Sequence, residues 1–255
     1  MYRKIGQVVE TELGYFCQLP GDIIGVYVLA QHPESLVEEI KRATQCMPVG
    51  GRALVVGAHI GTIAVPLSRS CSELVAIEPN PRAFEVLRLN AAMNGRDNMM
   101  LANFAANDKE EMIEFVVEYN NSGGSKRMPV HKDKMFFQGK TETIQVPSAR
   151  LDDALSGHEF DLVFMDCEGS EYFALQGMQR ILARSRALIV EFIPTHITLA
   201  AGVTIEDFLR PIKEHFNDLF VPTTGRKAVR EEFQSVLEDM VANNKTDSGI
   251  VFRKV

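Results

Sequence analysis

Short apolar runs that stop at glycine or an acid recur along the chain. Ala53-Leu54-Val55-Val56 is rich in β-branched residues, too short for a helix, and closed by Gly57, so it predicts a buried strand. Leu74 to Ile77 repeats the pattern and ends in Glu78. Phe160 to Met165 ends in Asp166, and Ala187 to Val190 ends in Glu191. Met99 to Phe104 predicts a further strand, with Ala105-Ala106-Asn107-Asp108 as the turn at its tip. Between these runs the apolar spacing becomes helical. Ala83, Phe84, Leu87 and Ala91 share one stripe after Pro81, and Gly95 stops the helix. Leu36, Val37, Ile40 and Ala43 form a face after Pro33. Ile205, Phe208, Leu209, Ile212 and Phe216 form another, which Pro211 must start or bend. Strands Leu219 to Pro222 and Gly249 to Phe252, with a helix near Glu231 to Val241, would bring the sheet to seven strands. Strands alternating with helices predict an α/β fold with a mostly parallel sheet and helices on both faces.

Two regions stand outside this alternation. Residues 1–49 read as an N-terminal extension packing on a domain of residues 50–255, with Gln7 to Glu10 and Tyr15 to Gln18 paired as a hairpin. Asp22 reads as a turn residue. Residues 119–140 read as a loop insertion between strands at Glu111 to Glu118 and Thr141 to Val146. Lys126, Arg127, Lys132 and Lys134 make that loop basic. A solvated mobile loop is the default expectation, and a lid over an anionic acceptor the functional one. Leu151 to Leu155 predicts a short helix with acids near its N-terminus.

Composition narrows the function. At 45% apolar and 24% charged residues, the 255-residue chain has an ordinary globular core. A net charge of −7 without a long basic block argues against a nucleic-acid partner. Cys17, Cys46, Cys71 and Cys167 are scattered, which suits reduced thiols in a cytoplasmic protein rather than a zinc site or disulfides. Met1 to Lys4 leads into no long apolar run, so neither a signal peptide nor a membrane span is expected.

The chemistry gathers at Gly57-Ala58-His59-Ile60-Gly61. Small residues let a ligand approach the backbone, and Thr62 is placed to cap the following helix. Glu78, at the tip of the next strand, is positioned to accept both hydroxyls of a ribose. Pro79 and Pro81 hold the chain extended around Asn80. Strand, glycine turn, helix, strand and acid describe a nucleoside half-site. A GxGxxG dinucleotide fingerprint is absent, which disfavours a nicotinamide-dependent dehydrogenase.

VVGAHIGTIAVPLS, AIEPNPRAFEVLRLNAAMNG, LDDAL and DLVFMDCEGSEYFALQGM, in that order, resemble the FkbM-type S-adenosylmethionine-dependent methyltransferases. The D-x-E-G-x-E pattern from Asp166 to Glu171 is the most specific piece. The resemblance implies a class I, Rossmann-like methyltransferase fold and S-adenosyl-L-methionine as cofactor. It also implies an oxygen acceptor on a small molecule or sugar. Gly57, Ala58, His59, Gly61, Glu78, Pro79 and Asn80 would then hold the cofactor. Ala105 would lie beside the adenine, where Asn107 or Asp108 either meets the exocyclic amine or caps the turn. Asp166 would contact the methionine end, and Glu168 would be the base or substrate anchor; alternatively, Glu168 and Glu171 only cap the helix starting at Ser170. The family usually has an acid at Val55, which helps hold the cofactor's ammonium, and an asparagine at His59. These departures keep a non-catalytic cofactor-binding or scaffold protein in view. His59 and His196 are the other possible bases; His59 is expected rather to make a structural hydrogen bond, and His196, near where a substrate would enter, rather to lie on the surface. Asp22 lies where the family often has an acid, although its reading as a turn residue is preferred. The acids suit a divalent cation, as in catechol-type methyltransferases, but no full ligand set is legible and no metal is expected.

Overall fold

The computed structural model describes residues 7–19, 21–23 and 33–255; Met1 to Lys4 lie outside them. The N-terminal hairpin forms as expected: β1 (Gln7–Thr11) pairs antiparallel with β2 (Gly14–Gln18). The Asn90 side chain, from the helix Pro81–Met93, accepts from Cys17 N (2.7 Å) and donates to Cys17 O, tying the hairpin down. Helix Pro33–Gln45 follows.

The sheet then starts with β3 (Arg52–Val56), β4 (Glu73–Ile77) and β5 (Met99–Ala102), all parallel. β6 (Ala105–Ala106), β7 (Glu111–Glu118), β8 (Lys126–Arg127) and β9 (Thr141–Ala149) build a separate four-stranded sheet. The chain returns through β10 (Leu162–Met165) and β11 (Ala187–Phe192). It closes with β12 (Asp218–Val221), β13 (Arg226–Val229) and β14 (Asp247–Arg253).

The main sheet runs β13-β12-β14-β11-β10-β3-β4-β5, eight strands rather than seven. The addition is β13, an edge strand that is polar and mostly exposed and so carries no apolar alternation. Winding reverses between β3 and β10, so the tips of these neighbours frame the crevice where α/β sheets collect ligands. Alternate residues of each strand feed the two faces. Leu54, Val56, Val163 and Met165 pack with Phe208 and Phe233 on one side. Ala53, Val55, Leu162 and Phe164 pack with Ala43, Leu67 and Leu87 on the other. Each fully buried large side chain contributes about 1.5–3 kcal/mol relative to exposure.

Two local expectations fail. The helix after the glycine turn is only Ala64–Leu67, preceded by Ile63 with no side-chain cap, so Thr62 does not start it. The 119–140 insertion is folded, not a solvated loop. β8 pairs with β7, and Val130 and His131 donate backbone hydrogen bonds to Ala200 and Leu199 (2.9 and 3.0 Å). Among the described residues no helix is long and apolar enough to cross a membrane.

Candidate functional site

Gly57 and Ala58 both donate their N–H groups to Ile77 O (3.0 and 2.9 Å), which folds the turn over the tip of β4. Gly57 has φ 82, and a Cβ there would stand 1.7 Å from Asp166 O, so only glycine lets β3 and β10 close up. The Glu78 carboxylate accepts from His59 N and Asn80 N, each at 2.7 Å, which places the acid against the glycine turn. Burial pushes Glu78 up to about 7, although both amides pull the other way.

Beside this corner lies a cleft with about 580 Å³ of empty space, part of it open to solvent. Gly57, His59, Glu78 and Pro79 form one wall; Ala105, Ile113 and Phe115 form an apolar one; Asp166 and Glu168 close the end. A second cleft shares Gly57, His59, Asp166 and Glu168, and adds Ala58, Val55 and Glu39. Three of the expected contacts lie outside both linings. Gly61 supports the turn by donating to Ala58 O (2.8 Å), and Asn80 caps the Pro81–Met93 helix by accepting from Arg82 N (3.1 Å). Asn107 is fully buried and bonds Ser148 and Arg127.

Asp166, Glu168, Glu171 and Glu191 crowd the tips of β10 and β11. Burial holds the Asp166 carboxyl well above the usual carboxylate range, and the surrounding Glu168 and Glu171 charges add to it. Burial likewise raises Glu168 to about 7, with Lys126 opposing. Glu191 is pushed well up by burial and then by Asp166 and Glu168. Glu171 accepts from Cys167 N and Gly169 N (2.8 and 2.9 Å), so it fastens the D-x-E-G turn. Glu168 sits at φ 53 and His59 at φ 50, conformations that cost free energy outside glycine and cluster at functional sites.

For several residues already singled out in the sequence, the partners and burial were not legible there. Asp22 is no mere turn residue: its buried carboxylate accepts from Ser122 N (3.1 Å) and from the Ser122 hydroxyl. That hydroxyl also lies 2.6 Å from His59 Nε2. Its single proton goes to the carboxylate, so Nε2 is the donor to Ser122. Burial lowers His59 to about 4, with Asp22 opposing, which keeps the imidazole neutral. Arg127 stacks 4.0 Å over the Phe173 ring and lines the first cleft, and buried Lys126 pairs with Glu118 at 2.7 Å. His196 is buried, not on the surface, and lies between Glu168 and Glu191. The linear spacing brought none of these together because each partner lies on a different element.

A family model for the methyltransferase FkbM domain matches residues 56–219, well over half of the chain. The chain belongs to the FkbM methyltransferase family. The family's cofactor is S-adenosylmethionine, and the chain carries the class I methyltransferase fold. A curated relative, the 2-O-methyltransferase NoeI of Sinorhizobium fredii, is 28% identical over 135 residues, covering 49% of this chain. The chain spans 55% of that relative's length. An rRNA methylase from Streptococcus thermophilus shares the fold, with TM-score 0.50 and 10% identity over 89% of this chain and 98% of its own. A TehB-like SAM-dependent methyltransferase from Corynebacterium glutamicum aligns with TM-score 0.46 and 13% identity over 89% and 96% of the two chains.

The site suits that cofactor. Ala105, Ile113 and Phe115 give the cleft an apolar side that fits a flat base, and the Glu78 carboxylate beside them fits a diol. The crowded carboxylates further along favour a cationic group.

Proposed function

We propose that this FkbM methyltransferase methylates a hydroxyl of a small molecule or sugar. Two observations support an oxygen acceptor: the name of the curated relative and the position of Glu168. The second carries the reading. Glu168 lines both clefts, is held in a costly backbone conformation, and has its carboxyl raised to about 7. A carboxylate tuned near neutrality is matched to taking a hydroxyl proton.

S-adenosylmethionine supplies a methyl on a positively charged sulfur, already electrophilic. The chain's task is binding, alignment, exclusion of water and removal of one proton. Glu78 holds the ribose, with Gly57 and Ala58 allowing close approach. Asp166 faces the methionine end, and Glu39 stands in the cleft lined by Val55, where the family's usual acid is missing. Glu168 receives the acceptor's proton. We read the acceptor as small because the folded insertion puts Ser122 and Arg127 into the cleft lining, and because the net charge of −7 opposes a polyanion. Arg127 at the cleft wall favours an acceptor with an acidic group.

Glu168→Gln is the test. It is expected to abolish turnover while S-adenosylhomocysteine affinity, read by calorimetry, stays within about threefold. Unchanged turnover removes Glu168 from the chemistry. Cofactor binding by the wild type without methylation of any acceptor pool would favour a binding-only protein.

A further inference from the structure

Beyond the cofactor, the tips of β10 and β11 hold a cluster that methyl transfer alone leaves unexplained. Glu168, Glu191 and His196 each offer a donor atom, and the three atoms lie within 4.8 Å of one another. His196 Nδ1 is 3.3 Å from Glu191 Oε2, and His196 Nε2 is 3.6 Å from Glu168 Oε2. His196 is only 9% exposed, yet its Nδ1 has no hydrogen-bond partner among the described residues. Glu191 Oε2 is buried and unpartnered in the same way. The two atoms face each other without the alignment of a hydrogen bond. Leaving a buried donor or acceptor unmet costs about 1–3 kcal/mol, so a third group between the two would stabilise them.

The backbone is shaped around the same point. His196–Ala200 is a turn of π-helix, a form concentrated at functional sites. Gly169 at φ 96 lets the D-x-E-G turn press against it: a Cβ there would lie 2.5 Å from Ala200 Cβ. This contact delivers Glu168 to His196. The insertion closes the far side, with Phe136 against the His196 ring at 6.3 Å between centroids.

The geometry points to a binding site for one first-row divalent cation, held by Glu168, Glu191 and His196. Metal bonds of about 2.1 Å put adjacent donors about 3 Å apart and opposite ones about 4.2 Å apart; with a single ring nitrogen of His196 as donor, the three atoms still lie within 4.8 Å of one another. Two carboxylates neutralise a divalent charge, and the imidazole nitrogen favours manganese or zinc over magnesium. Glu168 also lines both clefts, so the ion's remaining positions open toward the space assigned to the acceptor. That last step rests on the methyl-transfer reading; the ion site itself does not.

The test uses the purified full chain, stripped with chelator and titrated with Mn²⁺ while the free-ion EPR signal is followed, with and without S-adenosylhomocysteine. One Mn²⁺ per chain should bind. Glu191→Gln and His196→Gln should each weaken it by more than about tenfold, the loss already produced by disturbing a ligand's support. Thermal midpoint and S-adenosylhomocysteine affinity, measured on the same variants, report whether they fold. A wild-type chain that leaves the Mn²⁺ signal untouched under both conditions overturns the site, and needs no variant to do so. S-adenosylhomocysteine binding without Mn²⁺ uptake would overturn the ion site and leave the methyltransferase reading intact. Mn²⁺ uptake by a chain that ignores S-adenosylhomocysteine would uphold the site while the methyl-transfer reading falls.

Discussion

Val55 removes an acid from the second cleft, and Glu39 brings one back from a different element. Both line the same space, together with Asp166. Val55 is a buried strand residue with its side chain in the core beneath the cleft, whereas Glu39 projects from the Pro33–Gln45 helix. Burial raises the Glu39 carboxyl, and a hydrogen bond from Ser248 partly offsets that. A raised carboxyl beside a cleft is stabilised when a cation arrives, so Glu39 is a ready partner for the cofactor's ammonium. Glu39→Gln should therefore weaken S-adenosylhomocysteine binding by about tenfold, a loss of roughly 1.4 kcal/mol, with little change in thermal midpoint. Affinity unchanged in calorimetry would return that role to Asp166 alone. The sequence showed the vacancy at Val55 but not its replacement, because a helical glutamate looks like any solvated charge until the helix is docked. The reverse holds for Gly57 and Glu78, which were legible because strand length and a terminal acid are local patterns.

At the scale of elements, the insertion packs beside the site, and its buried ion pair is structural. Lys126 and Glu118 pair across β7 and β8 with side chains 7% and 12% exposed. Removing one partner strands the other charge in a poorly solvated place. Lys126→Met should cost about 3–5 kcal/mol in urea unfolding, and adding Glu118→Leu should restore most of it. A single-variant cost below about 1 kcal/mol would show the pair behaving like a surface bridge. The basic residues of this stretch suggested a solvated lid, since composition does not distinguish a cation that pairs inward from one that faces water. Lys132 and Lys134 face water, Lys126 is buried, and half-buried Arg127 lines the first cleft. The same blindness hid the burial of His196, which depends on the insertion and the D-x-E-G turn meeting a π-helix that no apolar period announces.

For the whole molecule, the concentration of buried acids makes stability and cofactor binding respond to pH in opposite directions. Folded Glu78 keeps its proton up to about 7, whereas an unfolded glutamate releases it near 4.5. The native state therefore binds more protons than the unfolded chain between those values, and stability falls as pH rises through them. Glu39, raised by burial, adds the same sign. His59 and His196 oppose it, since burial lowers both from 6.5 to about 4 and they lend stability as pH rises over that range. Above 6.5 the histidines have no further effect, while the acids are still ionising. The thermal midpoint of the cofactor-free protein should accordingly fall between pH 6.5 and about 8. Ionised Glu78 is the better acceptor for a ribose diol, so S-adenosylhomocysteine affinity should climb over the same interval. Saturating S-adenosylhomocysteine should then flatten the stability profile, because ligand bound to the native state adds most where affinity is highest. Glu78→Gln tests the shared origin: both slopes should shrink together, and a midpoint slope that survives while the affinity slope vanishes would assign the stability effect to the acids around Asp166.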